Sequence, residues 1–297
     1  MNYKEIIEKL KDNGYIASTE IAIAVSGAVN QHIPLLLEGD PGVGKTSLAK
    51  AVAEMLGIPL IRVQFYEGLT YDKILYDYDY QKQLLTIEAM RSALDKNMKG
   101  KSLSDARKVT EEIDFYSEDF LIKRPITKAF DGSGPYVLLL DEIDKSSEEI
   151  EHVLLEALDE YSITIPQFGT IRCPEDKRPV VFLTSNNYRE LSGALRRRCG
   201  YLYIEKKTQE EVKNIIITKA NADESIAEGV ASCIRKISEL PMKQTPSIAE
   251  ALMLAKYFQD SNQAVTKDTL SEALFIIIKN KRDKELVKQH LNSIVQP

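Results

Sequence analysis

Residues 39–46 constrain the fold more than any other segment, because they read GDPGVGKT and match the pattern G-x-x-x-x-G-K-[ST]. They follow an apolar run, residues 33–38, and precede residues 46–56, whose apolar side chains fall near one helical face. Glycines let backbone N–H groups curve around phosphates, and the start of a helix adds partial positive charge. The sequence therefore predicts a parallel strand, a phosphate-binding loop and a helix, in that order.

This loop predicts a nucleotide site with ATP and Mg²⁺ as its cofactors. Lys45 is expected to reach the β- and γ-phosphates, and the Thr46 hydroxyl to bind Mg²⁺. The alternative is a glycine-rich turn with an incidental lysine, which the strand before it and the helix after it disfavour. The residues expected to line the phosphates are Gly39, Asp40, Pro41, Gly42, Val43, Gly44, Lys45, Thr46 and Ser47.

Two adjacent carboxylates, Asp141 and Glu142, follow a second apolar run at residues 137–140. Ligands of open α/β sheets bind at the carboxyl ends of the strands. Asp141 is therefore predicted to hold Mg²⁺, and Glu142 to orient and polarise the water that attacks the γ-phosphate. Paired acids also occur as a charge preference at helix starts, an alternative that the phosphate loop weakens. Asp144 and Lys145 are interpreted as surface or helix-start residues without a chemical role.

Polar side chains also follow a third apolar run, residues 180–184. An amide from Asn186 can hold the attacking water beside Glu142, although Asn186 and Asn187 also suit a turn with unusual backbone angles. The arginine run at residues 196–198 is usually a solvated or partner-facing cluster. A guanidinium directed at a neighbouring subunit's γ-phosphate is the alternative, and it would couple the sites of a ring.

Apolar runs alternate with helical patterns until about residue 205, and only helical patterns follow. This order predicts an α/β fold with a parallel sheet covered on both faces. We expect a P-loop core at residues 1–205 and a small all-α lid at residues 206–297. Residues 162–165 and 170–172 flank a Pro-Gln-Phe-Gly turn and predict a β-hairpin. Two pairs have capping-box spacing, namely Ser146 with Glu149 and Thr208 with Glu211.

Composition bounds the partners and the compartment. A formal net charge of −6 argues against non-specific binding to nucleic acid, and the basic segment at residues 279–288 carries mixed signs that suit a solvated helix face. No apolar run approaches the ~20 residues of a membrane span, and the charged start does not resemble a signal peptide. The 3 cysteines are far apart, as expected in a reducing compartment, so we expect a cytoplasmic protein.

Taken together, these motifs resemble the MoxR group of the AAA+ ATPases over most of the chain. LLLEGDPGVGKT, LLLDEIDK and LTSNNYRELSGALRRRC are similar to its carbon-monoxide-dehydrogenase-associated branch. The resemblance implies that Asn186 is sensor 1, that Arg198 is the arginine finger, and that Tyr15 and Ile16 contact adenine. It also implies a hexameric, chaperone-like ATPase that remodels client proteins or matures metalloenzymes, often with a partner bearing a von Willebrand factor A domain.

The sequence departs from the MoxR pattern at two points. Ser247 follows Pro246 where many members carry the sensor 2 arginine. Arg-Arg-Cys replaces the usual acidic residue, arginine and phenylalanine, so Arg197 is a rival to Arg198 as the finger.

A tyrosine-rich segment has two interpretations, and so does the function as a whole. The tyrosines are Tyr66, Tyr71, Tyr76, Tyr78 and Tyr80. They suit either an aromatic loop gripping a client, as in some AAA+ motors, or rings that pack a helix onto the sheet, which is favoured. A motor subunit of a nucleic-acid system, as in GTP-using restriction complexes, is the alternative function, and the acidic balance disfavours it. A nucleotide-gated binding module without turnover is disfavoured by Glu142 and Asn186.

Overall fold

The computed structural model describes residues 1–97 and 114–295, and a five-stranded parallel sheet forms its centre. The strands are β1 (Leu35–Glu38), β2 (Leu60–Gln64), β3 (Tyr76–Tyr78), β4 (Leu121–Lys123), β5 (Val137–Asp141), β6 (Ser162–Ile165), β7 (Gly169–Arg172), β8 (Val180–Ser185) and β9 (Gly200–Tyr203). The central sheet has the order β2-β5-β8-β1-β9, and all its pairs are parallel. The predicted α/β fold with a parallel sheet is confirmed.

Helices precede, cover and follow this sheet. They are α1 (Tyr3–Asp12), α2 (Thr19–Gln31), α3 (Lys45–Leu56), α4 (Tyr71–Ile74), α5 (Tyr80–Asn97), α6 (Pro125–Phe130), α7 (Glu148–Glu160), α8 (Gly193–Arg197), α9 (Gln209–Ala220), α10 (Glu224–Ser238), α11 (Ile248–Ser261), α12 (Lys267–Ile277) and α13 (Lys281–Val295). No helix in residues 1–97 and 114–295 is long and apolar enough to cross a bilayer.

The inner strands are continuous apolar runs because both faces of the sheet are covered. Successive side chains of a strand point to opposite faces. Leu139 of β5 therefore packs with α1, α2 and α3. Its neighbour Leu138 joins a second core with α6 and α7. Every residue of β1, β5 and β8 is buried. Because these strands are parallel neighbours, the polar side chains that follow them lie together at one edge of the sheet.

The edge strand β9 was not predicted by the apolar pattern, because it pairs only with β1 and exposes Tyr201 and Tyr203. The predicted hairpin is confirmed as β6 and β7. The helix after β5 begins at Glu148, so its cap lies one residue later than predicted, because a short turn at Ile143–Lys145 comes first. Ser147, not Ser146, accepts the backbone N–H of Ile150, so the capping box predicted there is wrong.

The tyrosine-rich segment lies in an insertion between β2 and β5. Tyr78 is buried, and its hydroxyl donates to the carbonyl of Pro166 at 3.0 Å, so the packing interpretation is confirmed for this ring. Tyr66, Tyr71 and Tyr80 are exposed by 47%, 55% and 68%. For these three rings the choice between packing and gripping a client stays open.

The helices from α9 to α13 enclose a core of their own, around Val230, Phe258 and Leu274. The capping box of Thr208 with Glu211 begins the first of these helices, as predicted. Strand β9 ends at Tyr203 and α9 begins at Gln209. A helical C-terminal region is therefore confirmed, and the division at residue 205 stays a prediction.

Candidate active site

The loop between β1 and α3 carries the glycine pattern and depends on it. Gly42 and Gly44 have φ angles of 83° and 106°, in the left-handed region that favours glycine. A Cβ atom on Gly42 would lie 2.5 Å from Cβ of Ser247, at the start of α11. The loop can therefore approach the helical region this closely only because Gly42 has no side chain.

Lys45, the first residue of α3, folds back over the loop. Its Nζ donates to the carbonyl oxygens of Gly39 and Asp40, at 2.7 and 3.0 Å. Burial lowers the pKa of Lys45, and the nearby carboxylates, with Asp144 the strongest, oppose this shift. The ammonium is thus held beside backbone N–H groups, where a phosphate oxygen can replace the carbonyl acceptors.

Thr46 and Asp141 come together although 95 residues separate them. The Thr46 hydroxyl donates to Oδ1 of Asp141 at 3.0 Å. The hydroxyl of Thr184, on β8, also donates to this oxygen, at 2.5 Å. A hydroxyl and a carboxylate are hard oxygen ligands, and Mg²⁺ is commonly bound by one or two protein groups together with substrate phosphates. The pair fits that role.

Glu142 is held in an unusual backbone conformation, with φ 58° and ψ 47°. Its N–H donates to Oγ1 of Thr184 at 2.9 Å, and its Oε2 accepts from Nζ of Lys145 at 2.6 Å. Positive φ at a non-glycine residue is costly and recurs at functional sites. Lys145, to which no role was assigned, therefore touches the carboxylate predicted to activate water.

The interpretation of Asp144 as a surface residue is wrong, because its side chain is fully buried. Oδ2 of Asp144 accepts the N–H groups of Asn186 and Tyr188, at 2.9 and 2.8 Å. Its Oδ1 has no hydrogen-bond partner within the described residues. Asp144 therefore fastens the turn after β8 to the turn after β5. The signal for this role was a third acid two residues after Glu142.

The two asparagines after β8 have different environments. Asn186 lines the same cleft as Lys45 and Glu142. Asn187 has φ 59°, and its N–H donates to the Ser185 hydroxyl at 3.0 Å, as in a turn. Asn187 thus fits the turn interpretation, and the role of Asn186 in holding water stays a prediction.

The three arginines of α8 and its end also differ. Arg196 forms an ion pair at 2.7 Å with Glu38, a buried acid at the end of β1 that the sequence analysis missed. Arg198 pairs with Asp159 of α7 at 3.0 Å. Arg197 is exposed and has no partner in the described part of the chain. Neither Arg197 nor Arg198 lines the cleft, so a role for either at this chain's own nucleotide is not supported.

The loop, the N-terminal segment and the helical region enclose a cleft of about 290 Å³. Its lining residues include Tyr15, Ile16, the loop from Pro41 to Ser47, Asp141, Glu142, Thr184, Asn186, Lys207, Ile215, Lys219, Ile248 and Leu252. The Tyr15 ring lies 3.6 Å from the position of a Cβ on Gly44. Burial raises the pKa of Tyr15, and its hydroxyl has no hydrogen-bond partner among the described residues. The volume of this cleft, the polar groups that line it and the free hydroxyl of Tyr15 among the described residues suit a nucleotide.

Ser247, which stands where many MoxR proteins carry the sensor 2 arginine, has a structural role here. Its side chain accepts the N–H of Glu250, whose carboxylate accepts the N–H of Ser247 in return, so the two cap α11. The residue at this position therefore closes a helix against Gly42.

Comparisons with known proteins agree with this site. The family model of the AAA domain (dynein-related subfamily) matches residues 34–199. The Lon protease of Fusobacterium nucleatum subsp. nucleatum is 28% identical over 217 residues, 71% of this chain and 23% of that protein. Midasin of Giardia intestinalis is 38% identical over 76 residues, 25% of this chain and 2% of midasin. This chain thus spans less than a quarter of the length of these curated relatives.

A solved structure, the Thermotoga maritima RuvB Holliday junction branch migration motor, aligns with a TM-score of 0.47 and 18% identity. The alignment covers 97% of this chain and 76% of that one.

Proposed function

Because this chain belongs to the AAA domain family (dynein-related subfamily), it is an AAA+ ATPase, and we propose that it works as a MoxR-type remodelling ATPase. Its hydrolysis of ATP would drive the remodelling of client proteins or the maturation of metalloenzymes. The observation that carries the proposal is the meeting of Lys45, Thr46, Asp141 and Glu142 in one cleft. Two of these groups lie at the start of α3, and the other two at the end of β5.

Each group has a distinct task in this mechanism. Lys45 pairs with the phosphate oxygens, and the loop N–H groups bind them at the start of α3. Glu142 accepts the proton of the water that attacks the γ-phosphate, and Asn186 orients that water. Thr46 and Asp141 would hold Mg²⁺, which would supply electrostatic stabilisation of the charge that develops on the phosphates.

A protein client is favoured by two observations. The net charge of −6 is unfavourable for tracking along a nucleic-acid backbone. The Lon protease relative is, by its name, an enzyme that acts on proteins. We propose a hexameric ring, as the MoxR resemblance implies, and a partner with a von Willebrand factor A domain. AAA+ proteins typically assemble as rings, which gives Arg198 a neighbouring site to reach.

Two organisational features belong to the same proposal. Residues 1–205 form the nucleotide-binding core and residues 206–297 a helical lid, a division supported by the separate apolar core of α9 to α13. A cytoplasmic location is supported by the three cysteines, which are all unpaired.

The decisive experiment is capture of bound partners by the Glu142→Gln variant, with Lys45→Ala as the matched control. The first variant should hold ATP and its client, whereas the second should hold neither. Proteins enriched only with Glu142→Gln, and insensitive to nuclease, would support the proposal. Enrichment of nucleic acid with a strong salt dependence would contradict it in favour of the nucleic-acid motor.

A further inference from the structure

Lys207 is a half-buried cation near the loop, and the mechanism above does not use it. It lies between β9 and α9, and its side chain is only 7% exposed. Its Nζ contacts Oε1 of Glu211 at 3.2 Å. The neighbouring Lys206 is 64% exposed and pairs with Asp40. The chain therefore turns one of two adjacent lysines to the surface and the other inward.

Lys207 lies near the phosphate loop. Lys207 lines the nucleotide cleft together with Gly42, Val43 and Lys45. It also lines a second cavity of about 250 Å³ on the other side of the loop, between Pro41 and the helices of the C-terminal region. Lys207 thus lines both cavities, near the loop whose N–H groups can bind an anion.

Glu211, the one partner of Lys207 among the described residues, does not satisfy all the donors of this ammonium. An ammonium has three N–H donors, and burial of a charge is costly unless it is paired and hydrogen-bonded. Lys207 contacts only Oε1 of Glu211, whereas Oε2 accepts the N–H of Thr208 at 2.8 Å. For comparison, the side chain of Lys213, on α9, is 16% exposed and contacts two carboxylates, those of Glu224 and Glu228. Lys207 has one such contact in the described chain and faces an anion-binding cleft.

We propose that Lys207 is a phosphate ligand supplied by the segment that joins the sheet to the helical region. Nucleotide phosphate oxygens take up the donors that Glu211 leaves free, so the same lysine contacts the nucleotide and the first turn of α9. The position of the helical region then depends on whether the phosphates are present. This inference rests on the proposed nucleotide site and adds a ligand to it.

The test is equilibrium binding of fluorescent ATP and ADP to three variants of the full chain. Lys207→Met removes the charge and keeps most of the apolar stem. Lys213→Met is the matched control, because it removes a similarly covered lysine of α9 away from the cleft. Glu211→Gln removes the ion-pair partner but retains the capping box, since Gln serves at that position as well as Glu.

Lys207→Met should bind ATP, ADP or both at least about tenfold more weakly, as expected for loss of a charge-assisted hydrogen bond. Lys213→Met should bind like the parent, and Glu211→Gln should bind equally or more tightly. Lys207→Arg should restore part of the affinity. The inference is overturned if Lys207→Met retains the parental affinity, or if Glu211→Gln weakens binding as much, which would show a structural ion pair. Absence of binding to the parent protein would instead overturn the proposed function itself.

Discussion

Arg62 of β2 donates two hydrogen bonds to Oδ2 of Asp141, from Nε at 2.9 Å and from Nη2 at 2.6 Å. Thr46 and Thr184 donate to the other oxygen, Oδ1. The carboxylate at the end of β5 is therefore held from both neighbouring strands and from α3. An acid fixed in this way presents its oxygens in one orientation, which favours binding of a metal ion.

Arg62→Met is predicted to raise the Mg²⁺ concentration that half-maximal ATP hydrolysis requires, by about tenfold, because the supporting hydrogen bonds around a metal ligand are lost. Arg62→Lys should show a smaller effect, because lysine keeps the positive charge. It should not restore the parental requirement, since an ammonium cannot make the same forked contact. A titration of activity against Mg²⁺, with nucleotide binding in EDTA as the control, measures this. A reduced Mg²⁺ requirement would mean that the guanidinium competes with the metal.

Lys45→Ala is predicted to abolish detectable ATP binding, whereas Glu142→Gln should bind ATP near the parental affinity and lose turnover. The lysine pairs with phosphate charge, while the glutamate acts only on the attacking water. Fluorescent nucleotide titration and steady-state phosphate release distinguish these effects. Parental activity in Glu142→Gln would remove the assignment of this residue.

Arg198→Ala is predicted to keep ATP binding and to reduce hydrolysis by ~10³ or more, as arginine fingers do in related phosphoryl-transfer systems. Arg198 does not line the chain's own cleft, so a finger role for this residue would require the site of a neighbouring subunit. Mixing Arg198→Ala with Glu142→Gln subunits should therefore restore part of the activity, since some interfaces combine an intact base with a donated arginine.

Arg197 is the control in this series. Arg198 already pairs with Asp159 at 3.0 Å, whereas Arg197 is exposed. If Arg197→Ala loses activity and Arg198→Ala does not, the finger is the free arginine and Arg198 secures α8 to α7. If both retain parental hydrolysis, the run is a solvated cluster.

Asp144→Ala is predicted to lower the free energy of unfolding by about 2 kcal/mol, because it leaves two half-buried N–H groups without their acceptor. Those groups belong to Asn186 and Tyr188. Hydrolysis should fall further than ATP affinity, since the turn that carries Asn186 loosens. Asp144→Asn keeps one acceptor oxygen and should be intermediate. Urea unfolding and kcat of both variants test this prediction.

Asp283→Asn is predicted to lower Tm at pH 7 and to have little effect at very low pH. Hydrogen bonds from the Asn280 side chain, and then from the N–H groups of Lys243 and Gln244, lower the pKa of Asp283. A carboxyl whose folded pKa is depressed stabilises the fold above its unfolded pKa of about 3.9. That contribution is lost as the pH falls through the lower folded value. Thermal unfolding across pH 2–7 should show the two proteins converging in acid.

Local patterns predicted the parts of this protein that local physics decides. The glycine loop between a strand and a helix, the apolar runs of β1, β5 and β8, and the capping box at Thr208 all depend on residues close in the chain. The cap of α7 was wrong because a short turn intervened at Ile143–Lys145. Strand β9 was missed because an edge strand with one neighbour needs no continuous apolar run.

The sequence by itself therefore determined the nucleotide-binding elements, their order and the acids at the end of β5. Only the tertiary structure decided what those residues touch. It buried Asp144 under the turn of Asn186, placed Arg62 on Asp141, and covered the side chain of Lys207 while it left that of Lys206 exposed. Such contacts join residues far apart in the chain, and they depend on which strands pair and how helices pack, which no local pattern of residue types encodes.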